Sequence, residues 1–170
     1  HLFVARMWRV WELSPDPHLL FDRAIAVDRS HAAAYLGKAW ALLDAGRLDE
    51  ATLAAEDGLK RSPSSPWLLD VRAQIGLKRG AFRSAIALFD RVLDAEPELA
   101  GARIGLGAAL LATGDEARRQ SLLQLPGTPR TVVAFGLAHA EALAKAGRSV
   151  EARQLLTATV LAAPVFGAFA

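Results

Sequence analysis

Gly46, Gly80 and Gly114 stand 34 residues apart, and Gly147 follows after 33. A fixed interval of this length constrains the chain more than any local pattern, because it demands one supersecondary unit repeated in tandem. Each glycine separates two stretches whose apolar residues recur with helical period. Glycine there accepts the left-handed backbone that ends one helix and lets the next turn back. Pro63 and Pro97 are also 34 apart, and Pro164 lies 67 beyond Pro97. Proline cannot continue a helix interior, so these residues close the second helix of each unit. Five residues after three of the glycines stand Ala51, Ala85 and Ala152, where two close-packed helices tolerate nothing larger.

Period, glycine turn, small contact residue and closing proline together resemble the tetratricopeptide repeat, or TPR, a 34-residue helix–turn–helix unit. The fullest copy, 66–99, carries Ala73, Gly80, Ala85, Phe89 and Pro97 in the family's places, and 32–65 carries Tyr35, Ala39, Gly46, Ala51 and Pro63. The unit 100–132 keeps Leu106, Gly107 and Gly114, and 133–166 keeps Ala140, Gly147, Ala152 and Pro164. The resemblance implies an all-α, right-handed superhelical array of antiparallel helix pairs. Residues 1–31 are read as a partial unit whose second helix runs from about Asp16 to Val27, and 167–170 as the start of a truncated next element. Composition agrees: 52% of residues are hydrophobic but only 7% aromatic, so the apolar mass is largely Ala, Leu and Val, and Ala and Leu favour helix.

Two places depart from the pattern. Leu125-Pro126-Gly127-Thr128-Pro129 interrupts the second helix of the 100–132 unit, which predicts a short, irregular helix. Arg119 also takes the place of the small contact residue, and substitution of it by Ala is expected to be mild. Ser65-Pro66, by contrast, makes a good helix entry, with Ser capping and Pro at the first position.

Twenty cations are interspersed with eighteen anions, for a net charge of +2. No stripe of cations stands out, which argues against a nucleic-acid partner. Zero cysteines exclude disulfides and thiolate metal sites but leave the compartment open. The longest uncharged run, Gln154 to Ala170, contains Pro164 and is too short for a membrane helix, so no direct membrane span is expected. The absence of an initial Met and the apolar stretch from Val165 to Ala170 read as the cut ends of a longer protein.

Catalytic chemistry finds no foothold in the sequence. His1, His18, His31 and His139 sit at no ligand spacing, and each reads as a solvated or packed side chain. Gly105-Leu106-Gly107 lacks the third glycine of a nucleotide loop and lies within a helix, where it serves close helix approach. Arg118-Arg119 and Lys78-Arg79 fall at turns and read as solvated. No metal, cofactor or turnover is expected.

In the TPR family the first helix of each pair lines the concave face, where partners bind. The matching places are Leu2, Arg6 and Arg9 in the partial unit, then Leu36, Trp40 and Leu43, then Trp67, Asp70, Gln74 and Leu77. Ile104, Ala108 and Leu111 follow, and then Leu137, Glu141 and Ala144. The lining is mostly apolar with two indoles in adjacent units. Trp40 and Trp67 read either as core packing or as partner anchors, while Trp8 and Trp11 read as core or end-cap residues. The lysine-and-asparagine clamp of members that hold acidic chaperone tails is missing, since Leu36 and Trp40 stand in its places.

The resemblance thus implies a protein-interaction scaffold, not itself an enzyme, in a bacterial-type, alanine- and arginine-rich chain. Its groove suits a protein or peptide segment of apolar or amphipathic character. Two other roles stay open: an accessory or targeting region of a larger enzyme, such as a transferase or hydroxylase, and a self-association module.

Overall fold

The computed structural model describes residues 17–123 and 129–162. Among these residues the chain forms nine helices and no strand. They are α1 (Pro17–Val27), α2 (Ala32–Asp44), α3 (Leu48–Arg61), α4 (Pro66–Lys78) and α5 (Phe82–Ala95). Then follow α6 (Ala100–Thr113), α7 (Glu116–Leu123), α8 (Pro129–Lys145) and α9 (Ser149–Ala162). Helices α2, α4 and α6 begin at Ala32, Pro66 and Ala100. Helix α8, which holds the Val133 expected to open the last unit, runs from Pro129. Proline's fixed φ and missing N–H suit the first turn of a helix, where α8 has Pro129. As expected, α7 is short, at eight residues.

The four glycines turn the chain by one repeated device. Gly46, Gly80, Gly114 and Gly147 have φ of 74°, 75°, 74° and 79°, and they are the positive-φ positions among the described residues. Each donates to the carbonyl three residues back, and the residue after it donates to the carbonyl five back: Arg47 to Leu42 at 2.9 Å, Ala81 to Gly76 at 2.9 Å, Asp115 to Leu110 at 3.0 Å and Arg148 to Leu143 at 2.9 Å. Those paired bonds satisfy the last carbonyls of the first helix and fix its exit angle.

The chain divides into two compact units, 1–81 and 82–170, so the boundary falls between α4 and α5, inside the 66–99 repeat. In the first unit, α2 packs against α1, α3 and α4. Its core gathers Ala39, Leu42 and Leu43 of α2, Ala51, Ala54 and Ala55 of α3, and Val71 and Ile75 of α4. Small residues bring α3 close: a Cβ on Gly58 would press on Leu68 and Tyr35. Tyr35 holds the connection from α1 by donating its hydroxyl to the Arg29 carbonyl at 3.2 Å, and the Arg61 guanidinium lies over its ring at 4.2 Å. Ser65 accepts from the Leu68 N–H and so caps α4, as its sequence predicts.

In the second unit α6 is the hub, packed against α5, α7 and α8, while α8 pairs with α9. Phe89 is fully buried and occupies the space that Gly105 leaves free. Gly107 does the same for Phe135 and His139, and Gly136 for Thr159. The glycines of Gly105-Leu106-Gly107 therefore permit close helix approach, as expected. Ala85 and Ala152, the small contact residues of this unit, are both buried.

Candidate partner-binding surface

The first-helix rows occupy a band between core and solvent. In the first unit Leu36 and Trp40 of α2 are half-buried and pack on the core cluster. Leu43 goes further in: at 4% exposure it is a core residue. From α4, Trp67 is 40% exposed, Asp70 is buried, and Gln74 and Leu77 are half-buried. Helices α2 and α4, which carry these two rows, pack on each other within the first unit. Leu2, Arg6 and Arg9 lie outside the described residues, as do Trp8 and Trp11.

In the second unit Ile104, Ala108 and Leu111 of α6 are half-buried. Leu137 of α8 is 48% exposed, and Glu141 and Ala144 are exposed. Glu141 is bonded by Lys145 one turn on at 2.7 Å, and this cation holds its carboxyl below the usual range. Leu137, Glu141 and Ala144 border a shallow hollow of about 410 Å³ that continues over Ala152 and Leu156 of α9.

Two polar features of these units escaped the sequence reading. Burial pushes the Asp70 carboxyl up to about 6, opposed by one hydrogen bond from Gln74 at 3.3 Å. The other is a charge network inside the second unit. Arg119 is 1% exposed, contrary to the solvated side chain expected at a turn. It donates to Glu116, with Nε at 2.9 Å from Oε2, and to Nε2 of His139. Arg148 reaches the same Glu116 at 3.3 Å and pairs with Glu151 at 2.7 Å. A guanidinium can only donate, so His139 accepts at Nε2 and is neutral. Burial, reinforced by the Arg119 charge, pulls its imidazole down to about 4. The sequence did hold a sign of this: an arginine where a small residue belongs must fill that space with something.

Among the described residues no helix is long and apolar enough to cross a membrane.

Comparison with known proteins fits this geometry. The family described as tetratricopeptide repeat matches residues 18–66 and 71–118, more than half of the chain. The chain belongs to the TPR family. Among curated proteins, the Protein CTR9 homolog of Arabidopsis thaliana is 29% identical over 123 residues, which are 69% of this chain. The match spans 11% of that protein, so this TPR chain corresponds to a small part of its relative. Among solved structures, MamA residues 41 to the end from Desulfovibrio magneticus RS-1 superposes with a TM-score of 0.69 at 14% identity, covering 94% of this chain and 92% of that one. YrrB, described as a TPR protein with an unusual peptide-binding site, gives 0.64 at 20% identity, over 83% of this chain and 73% of that one. At such identities the structural likeness speaks for the TPR fold.

Proposed function

We propose that this TPR chain is a protein-interaction scaffold that holds an apolar or amphipathic peptide segment along its first-helix rows. The observation that carries the reading is the half-open state of the α2 and α4 rows. Leu36, Trp40 and Leu77 are half-buried, and Trp67 leaves much of a large indole in solvent. An aromatic side chain at such a position offers area to a partner at low entropic cost, and indoles dominate binding energy at many interfaces. YrrB supports the reading as a TPR neighbour described by its peptide-binding site. The short match to a much longer CTR9 homolog favours a second role, as the accessory segment of a larger protein.

Site-specific photocrosslinking tests the proposal. A benzophenone side chain at Leu36 or Leu77 is expected to capture a partner segment, whereas the same group at exposed Leu53 on α3 is not. Equal capture at all three positions sinks the first-helix reading.

A further inference from the structure

Asp70 is the one buried carboxylate among the described residues, at 4% exposure. Burying a carboxylate is costly unless a cation or several donors meet it. Here neither does. The residue lies inside α4, where the backbone N–H groups are engaged in the helix, so it has no cap to make. The hydrogen bond it receives comes from a neutral amide, Gln74, one turn along. The cations of α4 and its C-cap are engaged with other acids: Arg72 reaches Glu56 at 3.3 Å, Arg79 pairs with Asp49, and Lys78 acts on Asp44 at the end of α2. The other charged centre of the molecule shows the contrast, since Glu116 is met by both Arg119 and Arg148.

The position of Asp70 gives this unpaired charge a use. Trp67 stands three residues before it and Gln74 four after, a spacing that puts all three on one stripe of α4. Trp67 is open to solvent at the start of that stripe. Trp40 of α2 packs on the core cluster to which Val71 and Ile75 of α4 belong. A carboxylate sheltered from water and sharing a helix stripe with an indole is an arrangement that attracts a cationic side chain. The acid supplies charge, the indole face supplies cation–π attraction, and apolar neighbours take the aliphatic stem.

We propose that the Trp67–Asp70–Gln74 stripe is a seat for one lysine or arginine side chain of an otherwise apolar peptide segment. The inference rests on the reading of the first-helix rows as a peptide-binding surface and adds the charge of what they hold. It separates this chain from members that clamp acidic tails, because the seat here repels a carboxylate.

A phage-displayed library of random 12-residue peptides, panned on the whole chain and on its Asp70→Asn variant, tests the seat. Asn keeps the volume of Asp and removes a buried charge, so the variant is expected to melt no lower than the native chain. The native chain should enrich a motif with one fixed Arg or Lys among apolar residues, and Asp70→Asn should lose that fixed cation. Replacing the selected Arg by neutral citrulline in a synthetic peptide (or a selected Lys by norleucine) should weaken binding to the native chain at least about tenfold, and binding to Asp70→Asn little. A motif with no fixed cation, or the same cation selected by both proteins, overturns the seat while leaving the peptide-binding surface standing. No enrichment on either protein overturns both.

Discussion

Arg119 donates a hydrogen bond to Nε2 of His139, twenty residues further along the chain, and both side chains are shut away from water. Arg119 belongs to short α7 and His139 to α8, so the bond ties an irregular second helix to the first helix of the next pair. Where other units place alanine and let two helices touch, this one places a guanidinium and fills the contact with hydrogen bonds.

Substitution of Arg119 by Ala is therefore expected to be severe, not mild as its place in the repeat suggests. The change leaves His139 without its donor, Glu116 with half its cations and a void in the unit. Leaving buried His139 without its donor costs about 1–3 kcal/mol and the void adds to that, while the half-exposed Glu116 pair adds little. Its neighbour is the control. Arg118 pairs with Asp90 at 2.8 Å on the surface, and Arg118→Ala is expected to cost under about 1 kcal/mol. Urea unfolding of the two variants checks the difference. Equal midpoints would mean that the network adds nothing.

The two units are expected to answer acid in opposite directions. His139 has its folded pKa depressed to about 4, so the folded form binds fewer protons than the unfolded chain between about 4 and 6.5. Its contribution to stability is lost as pH falls through that window. Glu116, drawn down to about 2 first by Arg119, adds a loss at still lower pH, reduced by its solvent exposure. Asp70 runs the other way. Its folded pKa is raised to about 6, so stability falls as pH rises from about 4 to 6 and is regained on acidification. Between pH 7 and 5, amide exchange corrected for intrinsic rates should show α8 losing protection and α4 gaining it. Asp70→Asn should abolish the gain in α4. Protection that moves the same way in both units contradicts these assignments.

Close approach at Gly105 supplies a packing prediction. A methyl group there would run into the Phe89 ring, which is fully buried and has nowhere to move. Gly105→Ala is expected to destabilise by about 1–3 kcal/mol. Gly46→Ala meets open space instead, and its cost of about 1 kcal/mol comes from the left-handed backbone alone. Shortening the ring by Phe89→Leu should partly rescue Gly105→Ala and do nothing for Gly46→Ala. Thermal melts of the single and double variants decide it.

The features that depend on a residue's own conformational preference were legible in the sequence. The glycine turns and the serine cap follow from what Gly and Ser can and cannot adopt, so their positions mark the helix pairs directly, while the break expected over Leu125 to Thr128 lies outside the described residues. Ala51, Ala85 and Ala152 were legible for a similar reason, since small size at a repeated place has few other uses. Arg119, His139 and Asp70 were not. What a charged residue does depends on which partners the fold brings from distant positions, and a repeat register specifies backbone places without those partners. Leu43 shows the same limit on the apolar side: the register puts it at the end of the row, and the fold takes it into the core cluster.

The two indoles should separate by the same logic. Trp40 is half-buried and packed on the core cluster of the first unit, whereas Trp67 stands at the first turn of α4 with 40% of its surface in water. Trp40→Ala removes packing as well as binding surface, and is expected to cost about 2–3 kcal/mol of stability, somewhat less than a fully buried tryptophan. Trp67→Ala is expected to stay within about 1 kcal/mol of native stability. If both contact a peptide, each truncation should weaken its binding by roughly 2 kcal/mol. The informative variant is thus Trp67→Ala, in which affinity and stability part company. Affinity measured by peptide anisotropy, beside urea unfolding of the same protein, reads both quantities. Native affinity in Trp67→Ala would remove that indole from the binding surface, and a large loss of stability would make it a packing residue in spite of its exposure.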